Sequence, residues 1–235
     1  MARPADGTAP SARPVAFVVL VVLLAVPSWV LGEMTGLVLP ANLPVSALMV
    51  VSPFVAAVAL VARDSGAAGV RALFARMVDV RELSAGWAVA GLLVMPGVLA
   101  LASVLQRLGG RDLPGSGVPL PLVPALLVVF LVGALAEQTG WTGYLQEPVR
   151  RRLGTLPAAA AVGGVWGLWH VVPYLQANSV RWTVWQVLFT VLLRVVVVWA
   201  YDGAGRRAPV AVLVHAGPTS GTPRSPATTR PSPPR

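Results

Sequence analysis

The sequence predicts an all-α fold of the membrane kind, a polytopic transmembrane helical bundle with six full spans and a short seventh apolar segment. Three observations carry this expectation. Of the 235 residues, 56% are hydrophobic and only 11% are charged, where a soluble domain carries about a quarter charged. The apolar residues are gathered into runs long enough to cross a ~30 Å hydrocarbon layer at ~1.5 Å per helical residue. Most of the charged residues fall in the connections between those runs. There is no Cys, so disulfides and thiolate metal sites are excluded. The net charge of +9 comes without a basic stripe of interleaved aromatics, which argues against nucleic acid. The expected surroundings are a lipid bilayer.

The elements follow in order. Residues 1–14 are a short disordered lead, rich in Ala and Pro, with Arg3 and Arg13. Val15–Leu31 is the first span; a signal peptide is the alternative, but no small-residue cleavage site follows before Glu33. Leu43–Ala62 is the second span, with Pro53 expected to kink it. In residues 63–84, Val70, Leu73, Phe74, Met77 and Val80 recur at helical spacing among charges, which reads as an interfacial amphipathic helix. Trp87–Leu105 is the third span, and residues 106–119, rich in Gly and Pro, form a loop. Pro121–Tyr144 is the fourth span, Ala158–Leu175 the fifth, and Trp182–Trp199 the sixth. Pro209–Ala216 is too short to cross. The transmembrane domain thus covers residues 15–216. Residues 217–235 turn abruptly to Pro, Ser, Thr and Arg and cannot bury a core. They read as a disordered tail, or as a frameshifted or truncated helix end.

Arginines orient the bundle. With the N-terminus inside, the inner pieces hold Arg3, Arg13, Arg63, Arg71, Arg76, Arg81, Arg150, Arg151, Arg152, Arg206 and Arg207, and the outer loops hold Arg107, Arg111 and Arg181. This bias predicts a multi-pass cell-membrane protein with a cytoplasmic N-terminus. Arg194 lies inside the sixth span and is expected to snorkel or to pair within the bundle.

Three ionisable residues fall inside apolar runs: Glu137 in the fourth span, His170 in the fifth and His215 in the short segment. A carboxylate in a span costs at least ~2.5 kcal/mol on insertion scales, which makes it a functional candidate. The bland alternative puts Glu137 at a helix end, reaching headgroup water. If the three meet in the bundle, carboxylate and imidazole can hold and deprotonate a water that attacks a carbonyl. The second imidazole can then stabilise the oxyanion. Glu137, His170 and His215 also match the His₂Glu ligand class of Zn²⁺, although no HExxH motif is present. Depth weighs against a meeting. Glu137 falls ~24 Å from the outer face and His170 ~18 Å from the inner face of a ~30 Å layer.

At these residues the sequence resembles the CAAX prenyl protease and bacteriocin-processing family of intramembrane proteases, known as CPBP. That family carries Glu-Glu-x-x-x-Arg, commonly followed by Gly-Tyr, then aromatic-x-x-x-His, then His-x-x-x-Asn. Glu137–Tyr144, EQTGWTGY, resembles the first motif, with Gln138 for the second Glu and Thr142 for the Arg. Trp166–His170, WGLWH, matches the second. His215 matches the third, with Thr219 where Asn is expected, after the family-like run Trp199–Gly203. The resemblance covers about residues 60–216. It implies a helical intramembrane endopeptidase in which Glu137 and His170 activate water and His215 serves the oxyanion or a metal. Gln138, Trp141, Tyr144, Trp166 and Thr219 would support them. It also implies a peptide or protein substrate in the membrane, with prenylated CAAX proteins cleaved by some members and bacteriocin maturation and self-immunity served by others. Two readings compete: a catalytically impaired relative acting as an immunity or scaffold protein, and a small proton-coupled transporter with a Glu/His relay. The transporter reading lacks the inverted repeats it calls for.

Overall fold

The computed structural model describes residues 13–39, 43–111 and 120–216. The chain is an all-α helical bundle. Its α-helices are α1 (Pro14–Thr35), α2 (Ser52–Val78), α3 (Ala85–Leu108), α4 (Val123–Gly140), α5 (Glu147–Leu153), α6 (Thr155–Trp169), α7 (Val171–Ala177), α8 (Val180–Gly203) and α9 (Ala208–Ala216). A tight 3-10 helix, Val45–Val51, leads into α2, and a π-helical turn, Trp141–Gln146, joins α4 to α5. Between α1 and the 3-10 helix, β1 (Val38–Leu39) pairs antiparallel with β2 (Leu43–Pro44).

Among the described residues, five helical stretches are long and apolar enough to cross a membrane: Pro14–Thr35, Val45–Val78, Ala85–Leu108, Val123–Leu153 and Val180–Gly203. The pair α6–α7, bent by 42°, makes a sixth if it counts as one span. Large apolar side chains such as Val128, Val132, Leu93 and Leu192 stay exposed on the outside. In water that surface would be a liability; in lipid it is the expected exterior.

Three boundaries differ from the sequence reading, each for a local reason. Pro53 does not kink the middle of a span. It lies in the first turn of α2, where its missing N–H leaves no bond unmade. The amphipathic segment is a helix of its own, but it starts at Gly66 (φ 60°, ψ −163°), which breaks α2 into two helices, and not at residue 63. The rings of Phe54 and Phe74 are 5.6 Å apart, where twenty residues of straight helix would separate them by ~30 Å. The two halves of α2 therefore turn sharply on one another at Gly66. The second half buries Leu73 and Met77 against Gly143, and Val80 falls outside the helix, exposed. Third, the fourth span does not end at Tyr144. Helical structure continues through Arg150–Arg152 to Gly154, whose φ of 83° stops it. Counted from the turn at Gly154, Glu137 and His170 lie at nearly the same height, each about 25 Å along its helical stretch at ~1.5 Å per residue.

Close helix contact depends on two glycine sites. A Cβ on Gly140 would stand 2.6 Å from the Pro53 carbonyl oxygen, so only Gly lets α4 touch the start of α2. Gly163 and Gly167, four apart on α6, lie against Val191, Arg194 and Val187 of α8, where a Cβ would come within 2.9–3.2 Å. This is the small-xxx-small packing of membrane helices.

Segments that the arginine count assigns to one side of the membrane do meet at one end of the bundle. Arg13 pairs with Asp64 (3.8 Å), Arg206 with Asp202 (3.6 Å) and Glu147 (4.0 Å), and Arg207 with Glu82. In the connection after α2, Arg81 donates two side-chain hydrogen bonds of 2.9 Å to Asp79 and pulls its pKa down to about 2. Asp79 is thus charged, as a residue outside the hydrocarbon should be.

Candidate active site

The site begins with a proline. Pro173 has no N–H to give the carbonyl of Trp169, and its ring crowds that turn. The helix breaks there into α6 and α7, with His170 at the 42° bend. The His170 N–H goes to Gly167 three residues back (3.2 Å). The Trp166 carbonyl, its ordinary partner, is taken by the His170 ring through Nδ1 (2.9 Å). A carbonyl only accepts, so Nδ1 carries a proton, and in the neutral imidazole the lone pair then sits on Nε2. Tyr174, one turn on, stacks on the same ring at 5.2 Å.

Trp166 connects the rest. Its indole N–H donates to Glu137 Oε2 at 2.6 Å, inside the bundle. Its ring meets His215 edge-on at 4.8 Å and lies 6.0 Å from His170. One indole from α6 thus gathers the carboxylate of α4, the imidazole at the α6–α7 break and the imidazole near the end of α9. Glu137 is 6% exposed, so the bland reading of a headgroup-reaching side chain does not describe it. One of its oxygens is fixed by Trp166. Among the described residues, neither histidine hydrogen-bonds Glu137 directly.

The supporting residues separate into two groups. Gln138 is fully buried, with Nε2 3.1 Å from His215 Nδ1. Trp141 packs between Phe17 and Trp169, at 5.5 and 5.8 Å. Tyr144 belongs elsewhere. It stacks on Phe17 at 5.1 Å and accepts the Arg13 N–H (3.1 Å), which ties the π-helical turn to the start of α1. Thr219 and residues 217–235 lie outside the described residues, as does the lead up to residue 12.

The arginine inside the sixth span pairs within the bundle and does not snorkel. Arg194 is fully buried. One terminal nitrogen donates to Gln138 Oε1 (3.0 Å) and Thr142 Oγ1 (2.9 Å), and the other to the Trp141 carbonyl (3.0 Å) and Gln146 Oε1 (2.7 Å). Thr142 in turn donates to Gln138 Oε1 at 2.5 Å. All four acceptors are neutral, and among the described residues Arg194 has no carboxylate partner. The π-helical turn lays Trp141 and Gln146 open to this guanidinium, and π-turns recur at functional sites. Sequence reasoning missed Gln146 and Arg194 as a pair. The available signal was Gln138, Thr142 and Gln146, a polar row at every fourth residue of an apolar helix.

The donor set does not fit a metal. Among the described residues no three His, Cys, Asp or Glu side chains are grouped as a metal site requires. The arrangement suits hydrolysis by a held water instead: a buried carboxylate, a histidine with a free Nε2, and a second histidine across the same indole.

Residues 119–218 match the family model of the Rce1-like type II CAAX prenyl endopeptidases. The match covers less than half of the chain and includes Glu137, His170 and His215. Over these residues it bears out the resemblance read from the three motifs, though it begins well after residue 60. That family is one of membrane endopeptidases. No curated relative matches the chain.

Proposed function

We propose that this chain is an intramembrane endopeptidase that cleaves CAAX-type, prenylated peptide substrates with a water held between Glu137 and His170. The observation that carries the reading is the single Trp166 indole. It fastens Glu137 and packs both histidines around itself, inside the segment that matches the endopeptidase family. The water oxygen attacks the scissile carbonyl carbon while Glu137 takes its proton, with His170 Nε2 orienting the water. His215 stabilises the carbonyl oxygen as it becomes negative. The C–N bond then breaks, and the proton held by Glu137 passes to the leaving amine. No metal enters these steps. The reading is tested by reconstituting the full chain in lipid vesicles with a quenched fluorescent farnesylated CAAX peptide. Cleavage within the CAAX sequence, unaffected by chelators, is the expected result. A chain that cleaves no such peptide but binds one would instead favour the impaired relative, for which Gln138 and Thr142 in the first motif argue.

The proposal includes an orientation, with the N-terminus and Arg150–Arg152 in the cytoplasm. Because the chain has no Cys, single substitutions report cleanly. Arg151→Cys should be protected from an impermeant maleimide in intact cells, and Arg181→Cys should be labelled. Labelling of position 151 from outside overturns the orientation.

A further inference from the structure

The proposed chemistry assigns His215 to the oxyanion, and a histidine can do that only if it presents N–H and not a lone pair. The hydrogen-bond chain behind it decides which. Arg194 has donors alone, so the Gln138 atom at 3.0 Å from its terminal nitrogen must be the carbonyl oxygen. The Thr142 hydroxyl, 2.5 Å from that oxygen, accepts from Arg194 and so donates its one proton to Gln138 as well. Turning the amide over would set its NH₂ against the guanidinium, donor against donor. The Gln138 amide therefore has one orientation, and its Nε2 is left facing His215 Nδ1 at 3.1 Å. An amide nitrogen only donates, so Nδ1 must accept and the ring proton must sit on Nε2.

We infer that Gln138, locked by Arg194 and Thr142, is a positioning residue that holds His215 as a hydrogen-bond donor through Nε2–H, the opposite tautomer to His170. This inference rests on the protease reading for its purpose but not for its geometry. His170 keeps a lone pair on Nε2 and suits a base. His215 keeps a proton on Nε2 and suits the stabilisation of negative charge. A metal-ligating histidine typically donates its other nitrogen to a carboxylate or carbonyl. His215 cannot, because Gln138 has no acceptor left to offer. The disagreement with a His₂Glu metal site thus has a structural cause, the amide at position 138. A carboxylate there would keep the bonds from Arg194 and Thr142 on one oxygen. Its other oxygen would confront Nδ1 lone pair to lone pair unless Nδ1 took up a proton.

The test uses the two-histidine content of the chain. The full chain is produced with ¹⁵N-histidine and a histidine-free tag, placed in lipid nanodiscs, and read by nitrogen NMR at neutral pH. His170→Gln assigns the two rings. The expected result is a protonated Nδ1 on His170 and a protonated Nε2 on His215. In Gln138→Glu, Nδ1 of His215 should become protonated. Zn²⁺ alone, added to the native chain, should leave both His215 nitrogens unmoved. Arg194→Met should replace the single His215 tautomer by a mixture; if that variant does not fold, Gln138→Glu still decides. A native His215 with its proton on Nδ1, a Nδ1 unchanged in Gln138→Glu, or a His215 Nε2 that shifts onto added Zn²⁺ overturns the inference. The signals are read without substrate. A failure of the protease reading would show as no cleavage or as cleavage independent of Glu137, and a failure of this inference in the nitrogen resonances.

Discussion

Glu137→Gln should lower cleavage of the farnesylated peptide by about 10²–10⁴-fold, the contribution of a general base, while leaving the fold intact. The substitution is isosteric, and the amide oxygen can still accept the Trp166 indole N–H that Glu137 accepts at 2.6 Å. What is lost is the capacity to take a proton from water. Thermal unfolding in detergent should therefore be nearly unchanged, which separates a chemical defect from a packing defect. His170→Ala should cost a similar factor, and the double variant should be scarcely worse than either single one, because residues that work on one water act as a unit. Losses that multiply in the double variant would show that the two side chains serve different steps. Wild-type cleavage by the Gln variant would remove Glu137 from the mechanism.

The bundle was legible in the sequence because lipid demands long apolar runs, and runs can be counted. Glu137, His170 and His215 were legible because an ionisable group in such a run has few structural excuses. Helix ends were harder. Tyr144 looked like the end of a span because arginines follow it, yet the backbone stays helical until Gly154, whose positive φ ends it. Polarity marks where lipid stops, not where helix stops. Arg194 was visible as an anomaly but its partners were not, since they lie 48 to 56 residues away on other segments. That pairing depends on which helices touch. The clue was Gly163 and Gly167, which let α6 close on α8 at Val187, Val191 and Arg194. Tyr144 is the opposite case. It shares the first motif with Glu137, but the π-helical turn carries it toward Phe17 and Arg13, away from the site.

The second large effect is expected at His215, and there the choice of replacement matters more than the loss itself. His215→Ala removes the imidazole that α9 places against the Trp166 indole, 4.8 Å ring to ring. If its task is to donate to the oxyanion, cleavage should fall by about 10²–10³-fold, the usual cost of one such donor. Gln in the same place can restore a donor, since its side-chain amide reaches about as far as Nε2 and bears N–H at its end. It can neither act as a base nor replace imidazole as a strong metal ligand. His215→Gln should therefore recover to within about tenfold of the native rate, well above His215→Ala. The same exchange at His170 should recover nothing, because the role proposed there needs a lone pair able to take or share a proton. The pattern is read as turnover at saturating peptide for the four variants His170→Ala, His170→Gln, His215→Ala and His215→Gln. Rescue by Gln at position 215 alone is the expected outcome. Rescue at neither position would mean that His215 works through a lone pair, as a base or a ligand, and the division of labour between the two histidines would be wrong.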